Sequence, residues 1–332
     1  MENRKKRDSF YDNAKFILIF LVVLGHYLEP FIHTNKVVYS IFGFIYMFHM
    51  PAFVFISGFF FKKEINPKAL YKICVDFLVP YIIIQLLFIT FTKLIGLEQY
   101  HYTLLTPVYI YWYLFAMFIW NAILKIVIFI FDSLKTKIEY MIGLSFVLGL
   151  IAGYLAFISW KLSLSRIIVL FPYFLLGYYF KTKRININNL IVNKIVAVAI
   201  FIIGLFLSFA FSDIFKFELL SCALPYKNMG FGLYGSIYRL ILYMIQIVMM
   251  VSFFSLVPKQ KTRFTIVGTK TLTIYILHGF IIKSLVALAY FIDYNVAKVI
   301  ASPLLALLTV FLLSKIPINL KVNFYAQKSK QK

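Results

Sequence analysis

The sequence predicts an all-α membrane protein, a polytopic helical bundle of about ten transmembrane helices with both termini in the cytosol. Its residues are 62% hydrophobic and only 14% charged, a balance that a soluble domain of this length would not keep in solution. Its apolar runs have the length of helices rather than the ten-residue alternation of barrel strands. Because hydrocarbon offers the backbone no hydrogen-bond partner, such runs must pair their own amides and carbonyls, as a helix does.

Ten apolar runs are long enough to cross a bilayer. Their approximate bounds are 14–32, 37–61, 73–95, 105–131, 140–158, 164–180, 194–212, 236–257, 272–291 and 296–314. They form a single predicted domain over 1–332, with a basic cytosolic segment at 1–13 and a cytosolic tail at 315–332. No small-residue cleavage site follows the first run, so we interpret it as a span rather than a removed leader.

The basic residues orient this predicted bundle. With the N-terminus in the cytosol, 23 Lys and Arg residues fall in inner segments and six in outer ones, the asymmetry expected of a multi-pass plasma-membrane protein. The formal net charge of +22 then needs no nucleic-acid partner, because the basic residues form short clusters rather than one stripe. Cys74 and Cys222 fall on opposite sides of the membrane and are not expected to pair.

The first two spans contain the strongest functional candidates, because polar groups inside a bilayer are costly. Lys15 and His26 are eleven residues apart, which puts them on one helix face roughly 16 Å apart, with Lys15 near the cytosolic surface and His26 near mid-depth. His49 in the second span falls at the depth of His26, and Pro51 permits a kink there. The alternatives are a snorkelling lysine, histidines bonded to carbonyls, and close helix packing shaped by Pro51 and by Ser57-Gly58. For Ser57 and Gly58 the packing role is favoured.

A basic segment follows the second span on the predicted inner side and comprises Lys62, Lys63, Lys68 and Lys72. A positive-inside loop explains these lysines, but a phosphate-bearing cofactor arriving from the cytosol would use the same patch. His278 in the ninth span is predicted on this side too, with a functional and a packing role equally open.

The predicted outer face has aromatic and arginine candidates near the span ends, at Trp112, Arg166 and Arg239. An aromatic belt explains the tryptophan and snorkelling explains the arginines, yet either arginine also suits an anionic or hydroxyl-rich substrate. The outer segment from Phe211 to Ser236 is long and irregular, which favours a functional loop or lid over a simple connector.

These landmarks resemble the acyltransferase 3 family of membrane-bound O-acyltransferases, particularly its branch similar to fucose 4-O-acetylases. The resemblance covers nearly the whole chain. Its most specific element is a basic residue, ten intervening residues and then a histidine, here Lys15 and His26. The other matching landmarks are Asp12, Leu24-Gly25, Phe48-His49-Met50-Pro51, Ser57-Gly58, Trp112-Tyr113-Leu114, Arg166, Pro172, Gly177, Tyr275 and His278.

The resemblance implies transfer of an acyl group, usually acetyl, from cytosolic acetyl-CoA to a hydroxyl of an extracytoplasmic glycan or its lipid-linked precursor, with no metal. Carried over, His26 is the expected catalytic residue and Lys15 its basic partner, with the basic segment part of the coenzyme A site. Family members often have an arginine pair in that segment, and lysines bind phosphate less specifically. We also expect His49 in catalysis, His278 near the donor, and the acceptor to enter past Trp112, Arg166 and Arg239.

Two chemical routes and two other protein classes stay open at this point. An imidazole, with an ordinary pKa near 6.5, serves either as the base for the acceptor hydroxyl or as a first acyl acceptor that relays the group outward. A polysaccharide or lipid-linked sugar transporter is the main alternative class, although no inverted repeat is visible and intramembrane carboxylates are scarce. A sensory or assembly scaffold is the other. The sequence predicts neither the acceptor sugar nor an oligomeric state.

Overall fold

The computed structural model describes residues 8–97, 103–108, 110–134, 137–187, 190–288 and 295–317. The predicted N-terminal segment is therefore described only from Asp8, and the predicted tail only as far as Pro317. The rest of both segments, with most of the basic residues counted there, lies outside the described residues.

Within the described residues the chain is helical throughout, as predicted, and contains no β-strand apart from an isolated bridge between Thr103 and Thr106. The α-helices are α1 (Ser9–Leu28), α2 (Lys36–Tyr46), α3 (His49–Phe59), α4 (Pro67–Ile73), α5 (Val79–Leu94), α6 (Trp112–Leu134), α7 (Ile138–Ala152), α8 (Leu164–Thr182), α9 (Lys194–Ala210), α10 (Phe217–Leu220), α11 (Tyr226–Met229), α12 (Gly235–Leu256), α13 (Thr265–Gly268), α14 (Thr271–Ala287) and α15 (Val296–Ser314). A π-helical turn joins α4 to α5, and short 3₁₀ turns follow α1 and precede α8 and α12.

Seven helical segments of the described chain are long and apolar enough to cross a membrane. They are Ser9–Phe31, Lys36–Phe59, Pro67–Leu94, Trp112–Ile130, Lys161–Thr182, Gly232–Leu256 and Val296–Ser314. Three shorter apolar helices, α7, α9 and α14, account for the other predicted runs. The fold class of a polytopic helical membrane bundle is thus confirmed, while the number of crossings and the side of each terminus stay predictions.

The second predicted span is broken into α2 and α3 at Met47 and Phe48. Pro51 explains the break, because a proline has no N–H to bond the carbonyl four residues earlier and its ring collides with that carbonyl. The helix resumes when the Ala52 amide donates to the Phe48 carbonyl at 2.9 Å. The break places His49 in the first turn of α3.

The fourth span begins later than the predicted residue 105, at Trp112. The segment before it is held as a turn by Gln85, a buried residue of α5. The Gln85 Nε2 donates to the carbonyls of Thr103 (2.7 Å) and Thr106 (3.2 Å), and its Oε1 accepts from the Val108 amide (3.1 Å). These bonds satisfy backbone groups that would otherwise be paired within a helix. The segment can therefore pack against α5 without being helical.

The backbones of α3 and α8 lie closer together than a residue larger than glycine at their contact would allow. A Cβ atom on Gly58 would lie 1.9 Å from the Phe174 carbonyl oxygen, and one on Gly177 would lie 2.0 Å from the Phe55 carbonyl oxygen. Small residues permit this backbone approach in membrane helices. The packing role that the sequence favoured for Gly58 is therefore confirmed.

The long outer segment folds back over the bundle as α10, α11 and the turns around them. Tyr226 fastens it, since its amide donates to the Gly153 carbonyl at 2.7 Å and its hydroxyl to the Leu150 carbonyl at 3.0 Å. Ser221 and Cys222 of this segment line the central cavity described below. The segment thus closes one end of that cavity.

Candidate active site

A central cavity of about 390 Å³ runs between α1, α3, α6, α8, α12 and α14. Five residues that the sequence singled out line it together, namely Lys15, His26, His49, Trp112 and Arg166. They come from four helices that are far apart in the chain, so only the fold brings them to one place. Most of the remaining wall is apolar and aromatic, which suits a pocket whose few polar groups fix the orientation of a ligand.

His26 lies in the last turn of α1, nearer to the end of the helix than the mid-depth position predicted for it. Its Nδ1 is 3.0 Å from Oε2 of Glu29, in the 3₁₀ turn that follows. A carboxylate only accepts hydrogen bonds, so Nδ1 is the donor in this contact, and the lone pair of the neutral ring is on Nε2. A histidine oriented in this way by a carboxylate is the arrangement of a general base.

Glu29 was not predicted as a site residue, although it also lines the cavity. The sequence contained one indication of its role. Glu29 follows His26 by three residues, a spacing that places two side chains on the same face of a helix. Its position at the end of the first span made it look like an ordinary interfacial carboxylate.

His278 stacks on His26 with ring centroids 5.4 Å apart. It is fully buried and does not line the cavity. Its Nδ1 is 3.1 Å from the Ile274 carbonyl oxygen, and its Nε2 has no hydrogen-bond partner among the described residues. The structure therefore places His278 behind the catalytic candidate rather than among the inner basic residues, where the sequence put it.

His49 reaches the same cavity from α3. Its Nδ1 lies 2.8 Å from the Ile45 carbonyl oxygen, across the break that Pro51 creates. The ring of Tyr46 packs against His49 with centroids 4.7 Å apart and also lies against Gly25, next to His26. Tyr46 thus contacts His49 and lies against the residue that precedes His26.

Lys15 stands at the other end of the cavity, where it also lines a second one. Its Nζ forms an ion pair with Asp12 at 2.7 Å. The second cavity has a volume of about 870 Å³ and opens at the end of the bundle where α1 begins, the predicted inner face. Its other basic lining residues are Lys181, Arg184 and Lys259. These three were not predicted as site residues, because their pattern in the sequence is that of ordinary positive-inside residues.

The lysines predicted for the donor site lie elsewhere. The side chains of Lys62, Lys63, Lys68 and Lys72 are exposed, and none of them lines either cavity. Lys72 forms an ion pair with Asp76 at 3.0 Å. The backbone of this segment is fixed instead by Lys125, a buried residue of α6 whose Nζ donates to the Lys62 carbonyl at 2.8 Å.

At the predicted outer end, Arg166 lies between two tryptophans. Its guanidinium carbon is 5.2 Å from the ring centroid of Trp112 and 4.7 Å from that of Trp160. Trp160, in the turn before α8, is a further lining residue that was not predicted from the sequence. The Arg166 Nε donates to the Ser221 carbonyl at 3.0 Å, which ties this wall to the outer segment.

Arg239, the other predicted outer residue, does not line the cavity. It is buried in α12, and its Nη1 donates to the Leu219 carbonyl at 2.8 Å and to the Cys222 sulfur at 3.1 Å. These two hydrogen bonds hold the outer segment against α12. Cys74 and Cys222 are both free thiols, as expected from the topology.

The site lies between a basic cavity at one end of the bundle and an aromatic wall with Arg166 at the other, and comparison with known proteins agrees with an acyl-transfer role. Residues 8–315 match the acyltransferase domain of the acyltransferase 3 family. The chain belongs to this family. The acyltransferase fold therefore occupies almost the entire chain, and the cavities described above are those of an acyltransferase.

Two curated relatives of the acyltransferase match over short stretches. Nodulation protein NolL of Sinorhizobium fredii is 50% identical over 56 residues, which are 16% of this chain and 15% of that protein. Nodulation protein NolL of Mesorhizobium japonicum is 42% identical over 66 residues, 19% of this chain and 18% of that protein. The matches thus span less than a fifth of either relative. No solved structure matches the chain.

Proposed function

We propose that this acyltransferase moves an acetyl group from cytosolic acetyl-CoA to a hydroxyl of an extracytoplasmic or lipid-linked glycan, in the plasma membrane and with its N-terminus in the cytosol. The observation that supports this most directly is the His26–Glu29 pair on the wall of a cavity with Lys15 at one end and Arg166 at the other. The branch similar to fucose 4-O-acetylases is part of the proposal, on the strength of the motif residues.

The donor enters from the inner cavity in this proposal. Phosphate groups need positive charge, and Lys181, Arg184 and Lys259 supply it together with Lys15. Lys15 borders both cavities, so a donor held there has its acyl arm directed into the central one. The rise from Lys15 to His26 is roughly 16 Å, a distance suited to an extended arm rather than to direct contact.

In the proposed reaction, the acceptor hydroxyl loses its proton to Nε2 of His26 as its oxygen attacks the acyl carbon. Glu29 holds the proton on Nδ1 and stabilises the imidazolium that forms. The tetrahedral intermediate then collapses, the carbon–sulfur bond breaks, and the proton passes from His26 to the departing thiolate. A relay in which His26 or His49 first takes the acyl group uses the same residues.

The test is acetyl transfer by the purified protein in lipid nanodiscs, with acetyl-CoA labelled in the acetyl group. We expect His26→Ala to lower the rate of acetyl-CoA consumption by at least 10²-fold, the typical contribution of general-base catalysis. His33→Ala is the matched control, because His33 is exposed and lies outside the central cavity. An unchanged rate in His26→Ala, or saccharide transport without acetyl-CoA consumption, would refute the proposal.

A further inference from the structure

The wall at the outer end of the central cavity contains a buried guanidinium with open donors. The guanidinium carbon of Arg166 lies within 5.2 Å of the ring centroids of both Trp112 and Trp160, and its Nε donates to the Ser221 carbonyl. Among the described residues, no hydrogen bond reaches its two terminal nitrogens. These nitrogens form a planar fork, the geometry that matches the two oxygens of a carboxylate or phosphate.

Negative charge is scarce around this fork. Among the described residues, Arg166 forms no ion pair. Glu29 is near enough to interact with it electrostatically, but its carboxylate is bonded to His26. Arg239 adds a second buried guanidinium behind Cys222. A buried cation without a close counter-ion is costly, so a ligand that brings negative charge would stabilise this arrangement.

A second and independent feature of the same cavity also points to a ligand. Gln246 of α12 lines the cavity and is only 1% exposed. Its Oε1 accepts a hydrogen bond from the Tyr173 hydroxyl at 2.6 Å, which fixes the amide, while its Nε2 has no partner among the described residues. An unmatched buried donor is costly, and a ligand oxygen that accepts from it would remove that cost.

We propose that the outer half of this cavity is a subsite for an anionic acceptor, a saccharide with a carboxylate or a lipid-linked saccharide with a phosphate. Arg166 binds the oxyanion through its fork, Trp112 and Trp160 present ring surface beside it, and Gln246 donates to an uncharged oxygen of the same ligand. This inference rests on the proposed acyl transfer and specifies the class of its acceptor.

The structure offers a binding assay that needs no acyl transfer. The chain has three tryptophans, and two of them flank Arg166. Tryptophan fluorescence of the protein in nanodiscs is titrated with methyl glucuronide and, separately, with methyl glucoside, which lacks the charge. We expect saturable binding of the glucuronide, at least tenfold tighter than that of the glucoside. A second arm compares undecaprenyl phosphate with undecaprenol in the nanodisc and distinguishes a lipid phosphate from a sugar carboxylate.

Variants of Arg166 distinguish binding by the planar guanidinium fork from attraction by positive charge in general. Arg166→Gln should abolish the preference for the anionic probe, and Arg166→Lys should restore only part of it, because an ammonium lacks the fork. Lys161→Gln is the control, since it removes an exposed cation next to Trp160 without reaching the cavity. Thermal unfolding in nanodiscs shows whether each variant is folded.

Two results would overturn the inference. One is that neither anionic probe binds more tightly than its neutral counterpart, and the other is that Arg166→Gln retains the preference. Either result leaves acyl transfer standing if His26→Ala still abolishes acetyl-CoA consumption. Conversely, anion binding without acetyl-CoA consumption would remove the proposed function and keep the subsite.

Discussion

At the scale of single residues, the candidate base depends on a carboxylate that follows it in the chain. Glu29 accepts from Nδ1 of His26 at 3.0 Å and so makes Nε2 the nitrogen that takes the proton in the proposed reaction. Replacing it by glutamine keeps the size of the side chain but removes the charge that stabilises the imidazolium. The reactivity of His26 is therefore expected to depend on Glu29 more than on any other polar neighbour.

We predict that Glu29→Gln lowers the rate of acetyl transfer at saturating acetyl-CoA by on the order of 10²-fold, with little change in KM for the donor. The measurement is the initial rate in nanodiscs. Glu218→Gln is a suitable control, because it removes a carboxylate from the outer segment that does not line the central cavity. A rate for Glu29→Gln within twofold of the parent protein would contradict the assigned role.

Five polar or aromatic residues of the cavity wall were predictable from their residue types alone. Lys15, His26, His49, Trp112 and Arg166 stood out because polar groups in an apolar run are costly, and the fold gathers them in one cavity. Other lining residues, Glu29 and Trp160 among them, were missed. Both lie at the ends of spans, where carboxylates and tryptophans are common, so their residue types gave no signal.

At the scale of helices, the close contact of α3 and α8 positions two walls of the cavity. His49 belongs to α3 and Arg166 to α8, so their separation depends on how near the two backbones come. Gly58 and Gly177 set that distance from opposite sides of the contact. A side chain at either position would push the helices apart and displace residues that line the cavity.

We predict that Gly58→Ala destabilises the protein, by about 1–3 kcal/mol if the helices shift to relieve the overlap. The steric reason is that the new Cβ would lie 1.9 Å from the Phe174 carbonyl oxygen, a backbone atom with little freedom to move. Gly143→Ala in α7 is the control, since a Cβ there would meet nothing within 4 Å and alanine favours a helix. Thermal unfolding in nanodiscs measures both variants. Equal melting temperatures for both would show that the close packing is not required.

The helices themselves were easier to predict than their interruptions. Each of the ten apolar runs contains a helix at nearly the predicted position, because hydropathy fixes where a backbone must pair internally. The late start of α6 depends on Gln85, which bonds a turn some 20 residues away in the chain. No local pattern reveals such a bond. The break before α3 was foreseen only as the kink that Pro51 permits.

At the scale of the whole molecule, the two ends of the bundle differ in the chemistry that they present. The end where α1 begins has a cavity lined by Lys181, Arg184 and Lys259. The other end has aromatic rings and Arg166, closed by the outer segment. Lys15 is shared by the two cavities, so they adjoin at this residue. The positive-inside bias predicted the charge of the first end but not which of its cations converge.

The donor site is therefore predicted to depend on the inner cavity rather than on the exposed lysines after α3. We expect the double variant Lys259→Gln with Arg184→Asn to raise KM for acetyl-CoA at least tenfold, with kcat nearly unchanged, because it removes charge that binds substrate and transition state alike. Asparagine is chosen at 184 because Arg184 has a φ of 53°, a conformation that asparagine tolerates. The matched control is Lys62→Gln with Lys68→Gln, which removes the same charge from the same face but outside both cavities.

A truncated donor shows whether the rise in KM comes from lost binding of the phosphates or from a general effect of removing positive charge. S-acetylpantetheine has the acyl arm without the nucleotide, so the inner-cavity variant and the parent protein should show the same KM for it. With acetyl-CoA, the difference between them should shrink as salt is raised from 0.01 to 0.15 M, over which range the screening length falls from about 30 to 8 Å. If the Lys62 and Lys68 variant raised KM instead and the inner-cavity variant did not, the phosphates would bind on the exposed segment, and the second cavity would have no part in donor recognition.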